Sequence, residues 1–585
     1  MINIFKSLRS KDYFYILIII ILILFQVWLD LKLPDYMSEI TRLVQTSGSE
    51  MNEILKNGMY MLLCAFGSLA LTIVSILITA NLSANFSLNT RKRLFKKVES
   101  LSLKEIKEFS TSSLITRTTN DITQVEMLLA MGLQIIIKSP ITAFMAITKI
   151  FGKNYSWSMV TLGAVLVLMS VIVILSILVV PRFKTIQKLT DSINNVTREN
   201  LTGIRVVRAF NAEKYQEEKF DKVNEDLTRQ LLFNQKAFAV LSPVMYLVMY
   251  FLTLVIYFMG AYFIMNSVLS DKLSLFSDMI VFSSYAMQVI MSFLMIAFIF
   301  IFLPRANVSA KRINEVLNTK SSIKNGTKTS GETKECHVEF KNVSFKYPDA
   351  QDYLLKDISF EASKGEVIAI IGSTGSGKST LINLIPRFYD VTEGEVLVDG
   401  INVKEYDLNY LNNKLGYATQ KAVLFNESIN DNIAFGSSKN KITKEDIKES
   451  IRIAQGKDFV EKMDDKYNSV ISQNGTNISG GQKQRLSIAR AIAKKPEIYI
   501  FDDSFSALDY KTDLTLRKEL KKITKDAVTI IVAQRIGTIM NADKIIVLDN
   551  GEVKGIGSHK ELLKKREVYK EIAYSQLSKE ELNNA

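Results

Sequence analysis

The sequence is poor in the residues that staple or clamp small folds. Its 585 residues include two cysteines, Cys64 and Cys336, and two histidines, His337 and His559. Cys64 lies in an apolar stretch and Cys336 in a polar half, so neither a disulfide framework nor a zinc cluster is expected. Glycine (26 residues) and proline (8) are too sparse for a collagen-like or low-complexity chain. Hydrophobic residues make up 48% and charged residues 23%, near soluble averages. That average conceals a split, because long apolar runs crowd the first 304 positions and are missing afterwards. A purely soluble protein is therefore excluded, as is a disordered chain.

Six apolar stretches are present, at about 13–29, 58–80, 128–151, 156–180, 239–265 and 273–303. Each is near or above the roughly 20 residues that cross a bilayer. The first follows Lys6, Arg9 and Lys11, but it is long, lacks a small-residue cleavage pattern and precedes five more spans. It reads as an uncleaved helix rather than a signal peptide.

The formal charge is 73 − 60 = +13. Nucleic-acid binding is one use of such an excess. Its layout fits instead the Lys/Arg bias of cytoplasmic loops, so no nucleic-acid partner is expected. Arg91, Lys92, Arg93, Lys96 and Lys97 begin one basic connection (82–127), and Arg182 to Lys236 span another (182–238). The loop 33–57 holds only Arg42 and Lys56. Both long connections and both termini are thus expected on the cytoplasmic side of the plasma membrane. Apolar residues three or four apart predict helices that continue the spans into the cytosol.

Residues 318–335 (NTKSSIKNGTKTSGETKE) are polar and read as a linker. The expected domains are 1–317, a six-helix transmembrane half, and 336–585, an α/β domain of alternating strands and helices.

Gly372-Ser-Thr-Gly375-Ser376-Gly377-Lys378-Ser379 matches G-x-x-x-x-G-K-[ST] between the apolar strand 367–371 and a helix. In that context the glycines let backbone N–H groups wrap phosphates, Lys378 reaches the outer phosphates and the Ser379 hydroxyl can ligate Mg²⁺. Thr380 follows on the same helix. A second strand, 497–501, ends in Asp502, where a metal-orienting acid sits in phosphate-loop ATPases. Between them, Ser479-Gly480-Gly481-Gln482 opens an Arg- and Ala-rich helix and forms an anion-binding turn.

These motifs resemble those of ATP-binding cassette (ABC) transporters, in the family's order and over nearly the whole chain. Ile478 to Gln482 looks like the family's signature motif, and Tyr347 resembles the aromatic residue that stacks on adenine. Gln420 resembles the glutamine that touches Mg²⁺ and senses the membrane domain. Ser506 to Asp509 resembles the loop that crosses to the partner cassette. The six spans resemble the exporter branch, and Asn200 to Phe210 its second coupling segment. The resemblance implies an ATPase using ATP and Mg²⁺, with two cassettes paired head to tail. Each nucleotide would then lie between one phosphate loop and the other cassette's signature. One membrane half and one cassette imply half of a dimer.

Two departures from the family pattern bear on hydrolysis. Asp503 stands where the family has a water-positioning glutamate, one methylene longer. Gln534 stands where the family has a histidine, and an amide can hydrogen-bond a phosphate but cannot carry a proton's charge. His337 lies before the cassette's first strand and His559 far beyond the switch, so neither replaces it. Binding residues are kept while hydrolytic ones change, the pattern of a degenerate-site subunit in a heterodimeric exporter, with a homodimer as the alternative.

The spans say less about cargo. Met245, Met249, Met259, Met265, Met279, Met287, Met291 and Met295 crowd the last two spans, where methionine packs adaptably. Lys138 is expected to snorkel near the cytoplasmic interface, and Gln288 is the better cavity-facing candidate. The chain opens at its first span, without a preceding protease domain, which favours a drug- or lipid-like amphiphile as substrate. Siderophore or peptide transport on the same fold, or an ATP-gated channel or regulator, stay open as alternatives.

Overall fold

The computed structural model describes residues 9–46, 48–151, 155–331, 337–436 and 441–577. Cys336 and the expected boundary at 332–336 lie outside them. The chain forms two compact units. One comprises 1–100 and 109–319, the other 101–108 and 320–585.

The first unit is helical. Its elements are α1 (Ser10–Gln45), α2 (Met51–Glu99), the short α3 (Leu103–Phe109, mostly in the second unit) and α4 (Thr111–Thr118). There follow α5 (Asn120–Phe151), α6 (Tyr155–Thr202), α7 (Ile204–Ala209), α8 (Glu213–Asn266) and α9 (Leu269–Asn318). Among the described residues six helices are long and apolar enough to cross a membrane, and all six expected spans fall within them. At 1.5 Å per residue the 54 residues of α8 reach about 80 Å, far more than the roughly 30 Å of hydrocarbon. The basic connections are therefore helical continuations of the spans.

Apolar side chains such as Leu63, Phe66, Phe144 and Phe258 stay exposed, as lipid-facing residues do. The inner faces pack α1 on α2, α5 on α9, and α6 on α8. Trp157 is buried against Phe282, with ring centroids 5.3 Å apart. Lys138 lies within its expected span and pairs with Asp30 on α1 at 3.4 Å. The ion pair gives this charge a partner on a neighbouring helix. Lys149 and Asp35 pair likewise at 2.7 Å.

The second unit is the cassette. Its strands are β1 (His337–Phe345), β2 (Leu355–Ser363), β3 (Val367–Gly372), β4 (Glu393–Val398), β5 (Ile401–Asn402), β6 (Leu415–Ala418), β7 (Ile498–Asp502), β8 (Val528–Val532), β9 (Lys544–Asp549) and β10 (Glu552–Gly557). Its helices are α10 (Lys378–Asn383), α11 (Leu408–Asn413), α12 (Ile429–Ile433), α13 (Lys444–Ile453), α14 (Lys457–Glu461), α15 (Gly480–Ala493), α16 (Tyr510–Ile523), α17 (Ile536–Ile539), α18 (His559–Lys565) and α19 (Glu567–Tyr574). His337 is the first residue of β1 and not ahead of it. The strand orders are β2-β1-β4-β5 and β10-β9-β3-β8-β7-β6.

The larger sheet is parallel except at β10. Its inner strands β3, β8 and β7 are nearly all apolar because both faces are covered. Ile368 and Ile370 face one core while Ala369 and Ile371 face the other. Part of the polar segment after α9 is bound down. Lys328 bridges to Tyr406, and the Thr327 N–H bonds the Glu405 carbonyl at 2.9 Å.

Candidate nucleotide site

The site lies at the carboxyl ends of β3, β8, β7 and β6, where parallel strands place their following loops side by side. After β3 the chain turns through Gly375 and Gly377, both left-handed at φ +86° and +97°, into α10. A Cβ on Gly372 would stand 2.0 Å from the Leu548 carbonyl oxygen, so only glycine fits there. A Cβ on Gly375 would meet nothing within 4 Å, so the loop keeps an open concave side. Lys378 is buried and donates to the carbonyls of Gly372 (2.9 Å) and Ser373 (2.7 Å). Burial pulls its ammonium below the ordinary lysine pKa, and the charges of Asp503 and Asp502 oppose that pull.

The Ser379 hydroxyl donates to Asp502 Oδ1 at 2.9 Å. A hydroxyl and a carboxylate already in register form the oxygen set that suits Mg²⁺. Burial raises the Asp502 pKa; the bond from Ser379 opposes the rise, and the charge on Asp503 adds to it. On α10, Thr380 shares a 3.0 Å hydrogen bond with the Tyr347 hydroxyl. Tyr347 stands edge-on to Phe345 and Tyr389, with centroids 5.0 and 5.3 Å away, which orients its ring. The residues present therefore fit a nucleoside triphosphate with its metal.

Asp503 follows β7 with φ +47°, a left-handed backbone uncommon outside glycine. Its N–H bonds the Val532 carbonyl at 2.9 Å, tying it to β8. Gln534, just past β8, donates Nε2–H to Asp503 Oδ2 at 2.9 Å. Burial raises the Asp503 pKa, while Ser506, Lys378, the Gln420 side chain and Arg535 oppose the rise. Gln420, 83 residues before Asp503 in the chain, arrives because β6 pairs with β7.

The remaining expected residues lie elsewhere on the unit. Ser479 caps α15 in a reciprocal box, its hydroxyl accepting from the Gln482 N–H (3.3 Å) and its N–H donating to Gln482 Oε1 (2.8 Å). Among the described residues no hydrogen bond joins 479–482 to 372–380. Asp509 is exposed and caps α16 by accepting from the Thr512 N–H at 3.0 Å.

The chain's residues 16–293 match the family model described as the ABC transporter transmembrane region, and residues 355–506 match that described as ABC transporter. An uncharacterized ABC transporter ATP-binding protein of Mycobacterium tuberculosis is 35% identical over 88% of this chain and 86% of its own length. The chain belongs to the ABC transporter family.

An ATP-dependent lipid A-core flippase of Haemophilus influenzae is 31% identical over 85% of this transporter and 84% of its own length. A bacterial Atm1-family ABC exporter solved with ATP bound shares the fold at a TM-score of 0.84. It is 22% identical and covers 97% of this chain and 99% of that one. The transporter is thus an integral membrane protein with the fold of that exporter and an ATPase domain coupled to transport.

Two contacts escaped the sequence reading. Gln576, beyond α19, donates Nε2–H to the Gln534 carbonyl and accepts from the Ile536 N–H, both at 2.8 Å. It clamps the backbone that carries Gln534. Lys107 of α3 holds its ammonium 5.5 Å from the centre of the Tyr347 ring. No local motif marks either residue, since each acts across a long sequence separation.

Proposed function

We propose that this transporter is the degenerate-site subunit of a heterodimeric exporter that moves a drug- or lipid-like amphiphile. In this reading residues 1–317 form the membrane half, 318–335 connect it to the cassette, and 336–585 form the ATPase. Both termini and the cassette face the cytoplasm, by the distribution of Lys and Arg.

The observation that carries the reading is the bond from Gln534 to Asp503. In a competent site a carboxylate positions water and a switch side chain senses the γ-phosphate. Here the carboxylate is engaged by a neutral amide, and its backbone is pinned to Val532 in a left-handed conformation. A side chain one methylene shorter than glutamate cannot be advanced without breaking that anchor. Catalytic geometry is unforgiving, with about 1 Å costing ~100-fold.

The binding groups are intact by contrast. Tyr347 would stack on the base, and Gly372, Gly375, Ser376, Gly377 and Lys378 would enclose the phosphates. Ser379, Gln420 and Asp502 would hold Mg²⁺, which supplies charge neutralisation on the phosphates when bound. Ser479, Gly480, Gly481, Gln482 and Asp509 lie away from this loop and would complete the site of a second half-transporter. The similarity to a lipid A-core flippase supports an amphiphilic cargo.

The test is to purify the chain with and without its partner and compare nucleotide binding with turnover. Alone, it should bind ATP and hydrolyse it far below the usual 1 s⁻¹ floor. Turnover of several per second by the lone chain removes the reading.

A further inference from the structure

A cavity of about 320 Å³ lies on the cassette sheet away from the phosphate loop. Its floor follows from strand alternation. Val367 and Ala369 on β3, and Thr529 and Ile531 on β8, project to the same face, and β3 pairs Val367 with Thr529 and Ala369 with Ile531. One wall is α16, where Leu514, Lys518 and Lys521 recur at the spacing of one helix face. The other wall is the segment from Thr538 to Ala542 that returns the chain from β8 to β9.

Four observations mark this slot as more than a packing gap. The Thr529 side chain is 1% exposed, and its hydroxyl has no hydrogen-bond partner among the described residues. A buried hydroxyl without a partner is unusual enough to call for one. At the mouth, Lys518 and Lys521 are exposed, and among the described residues neither makes an ion pair, although their neighbours Arg517 and Lys522 do. Among the described residues no aspartate or glutamate lines the cavity. Its volume falls within the usual range for small-molecule sites.

We propose that this slot binds an amphiphilic carboxylate of medium chain length with a hydrogen-bonding group at its inner end. The carboxylate lies between Lys518 and Lys521, the alkyl body lies along the half-buried Val367, Leu514 and Ala542, and the inner polar group meets Thr529. Such an occupant separates α16 from α17. Those elements are joined by the Arg517 guanidinium, which donates to the Thr538 carbonyl at 3.1 Å and pairs with Asp513. Because α17 begins two residues after Gln534, occupancy is felt at the nucleotide site.

The full chain in lipid nanodiscs is labelled with a diazirine-bearing ω-hydroxy fatty acid, and modified peptides are located by mass spectrometry. Octanoate and ω-hydroxyoctanoate serve as competitors. Label is expected on peptides covering 514–524 and 538–542, with the hydroxy acid the better competitor. Lys518→Glu combined with Lys521→Glu should weaken competition about tenfold, equivalent to about 1.4 kcal/mol. Thr529→Val should make the two acids equal. Label confined to the membrane helices, or cassette label indifferent to both charge reversal and the ω-hydroxyl, overturns the proposal. Comparing the two competitors on the unaltered chain decides the matter even if a variant folds poorly.

Discussion

Gln534 and Asp503 are joined by a 2.9 Å hydrogen bond from amide to carboxylate, although 31 residues separate them in the chain. The bond exists because β7 and β8 are neighbouring parallel strands, with Asp502 opposite Val532. It makes the two departures from the family pattern a single structural unit. Changing one side without the other leaves a mismatched pair.

Restoring both groups is therefore expected to act synergistically. Asp503→Glu with Gln534→His should raise hydrolysis at this site by at least an order of magnitude, while either change alone does little, since coupled groups are not additive. Single-turnover hydrolysis by the isolated chain reads this directly. A full effect from one substitution alone would show that the pair does not work as a unit.

The signature turn should matter more to the complex than Asp503 does. A Cβ on Gly481 would already stand 3.1 Å from the Ala507 carbonyl, and an aspartate there adds a charge facing the incoming γ-phosphate. Gly481→Asp should collapse ATPase activity of the assembled exporter, and Asp503→Asn should leave most of it. The opposite ranking in steady-state assays reverses the assignment of the two sites.

Gln576 should hold the switch backbone. Gln576→Ala removes the acceptor for the Ile536 N–H, and one lost hydrogen bond of about 1 kcal/mol corresponds to roughly fivefold faster exchange. Gln576→Glu keeps that acceptor but loses the donor to the Gln534 carbonyl, so Ile536 should stay protected. Hydrogen–deuterium exchange across 533–540 distinguishes the two; equal loss of protection in both variants counts against the clamp.

The acid limb of Mg²⁺-dependent ATP binding should shift when Asp503 is neutralised. Asp502 has a raised pKa, so it protonates at a higher pH than an ordinary carboxylate and loses its metal-binding charge early on acidification. The negative charge of Asp503 contributes to that rise. Asp503→Asn should therefore lower the Asp502 pKa and move the loss of binding to lower pH. Titration of nucleotide affinity from pH 7 to pH 4 with excess Mg²⁺ gives the midpoint, and a midpoint that stays put or rises refutes the coupling.

The tip of the second cytoplasmic connection should couple the membrane half to a cassette. Val206 on the short α7 is 60% exposed and Phe210, which caps its end, is 77% exposed, an apolar pair beside the exposed Arg205 and Arg208. Exposed aromatics of this kind supply area at interfaces. A cysteine at Ala209 should cross-link, in a nucleotide-dependent manner, to one placed near the Gln loop of the partner's cassette. If no cross-link forms and Phe210→Ala keeps transport tied to hydrolysis, the coupler lies elsewhere.

The sequence alone determined the features written in local patterns. Six apolar stretches long enough for a bilayer, a glycine loop between an apolar strand and a helix, and the Ser479 to Gln482 turn each depend only on near neighbours. So did the two substitutions, because a motif's missing side chain is visible in the motif. Tertiary structure alone decided what those pieces meet. The strand order β3-β8-β7-β6 is not the chain order, and only that order brings Gln420, Asp502, Asp503 and Gln534 to one edge. Lys138 found Asp30 on another helix, Gln576 reached Gln534 across 42 residues, and among the described residues the Thr529 hydroxyl was left without a hydrogen-bond partner. Periodicity tells which face of an element is buried; it carries no record of which distant element will cover that face.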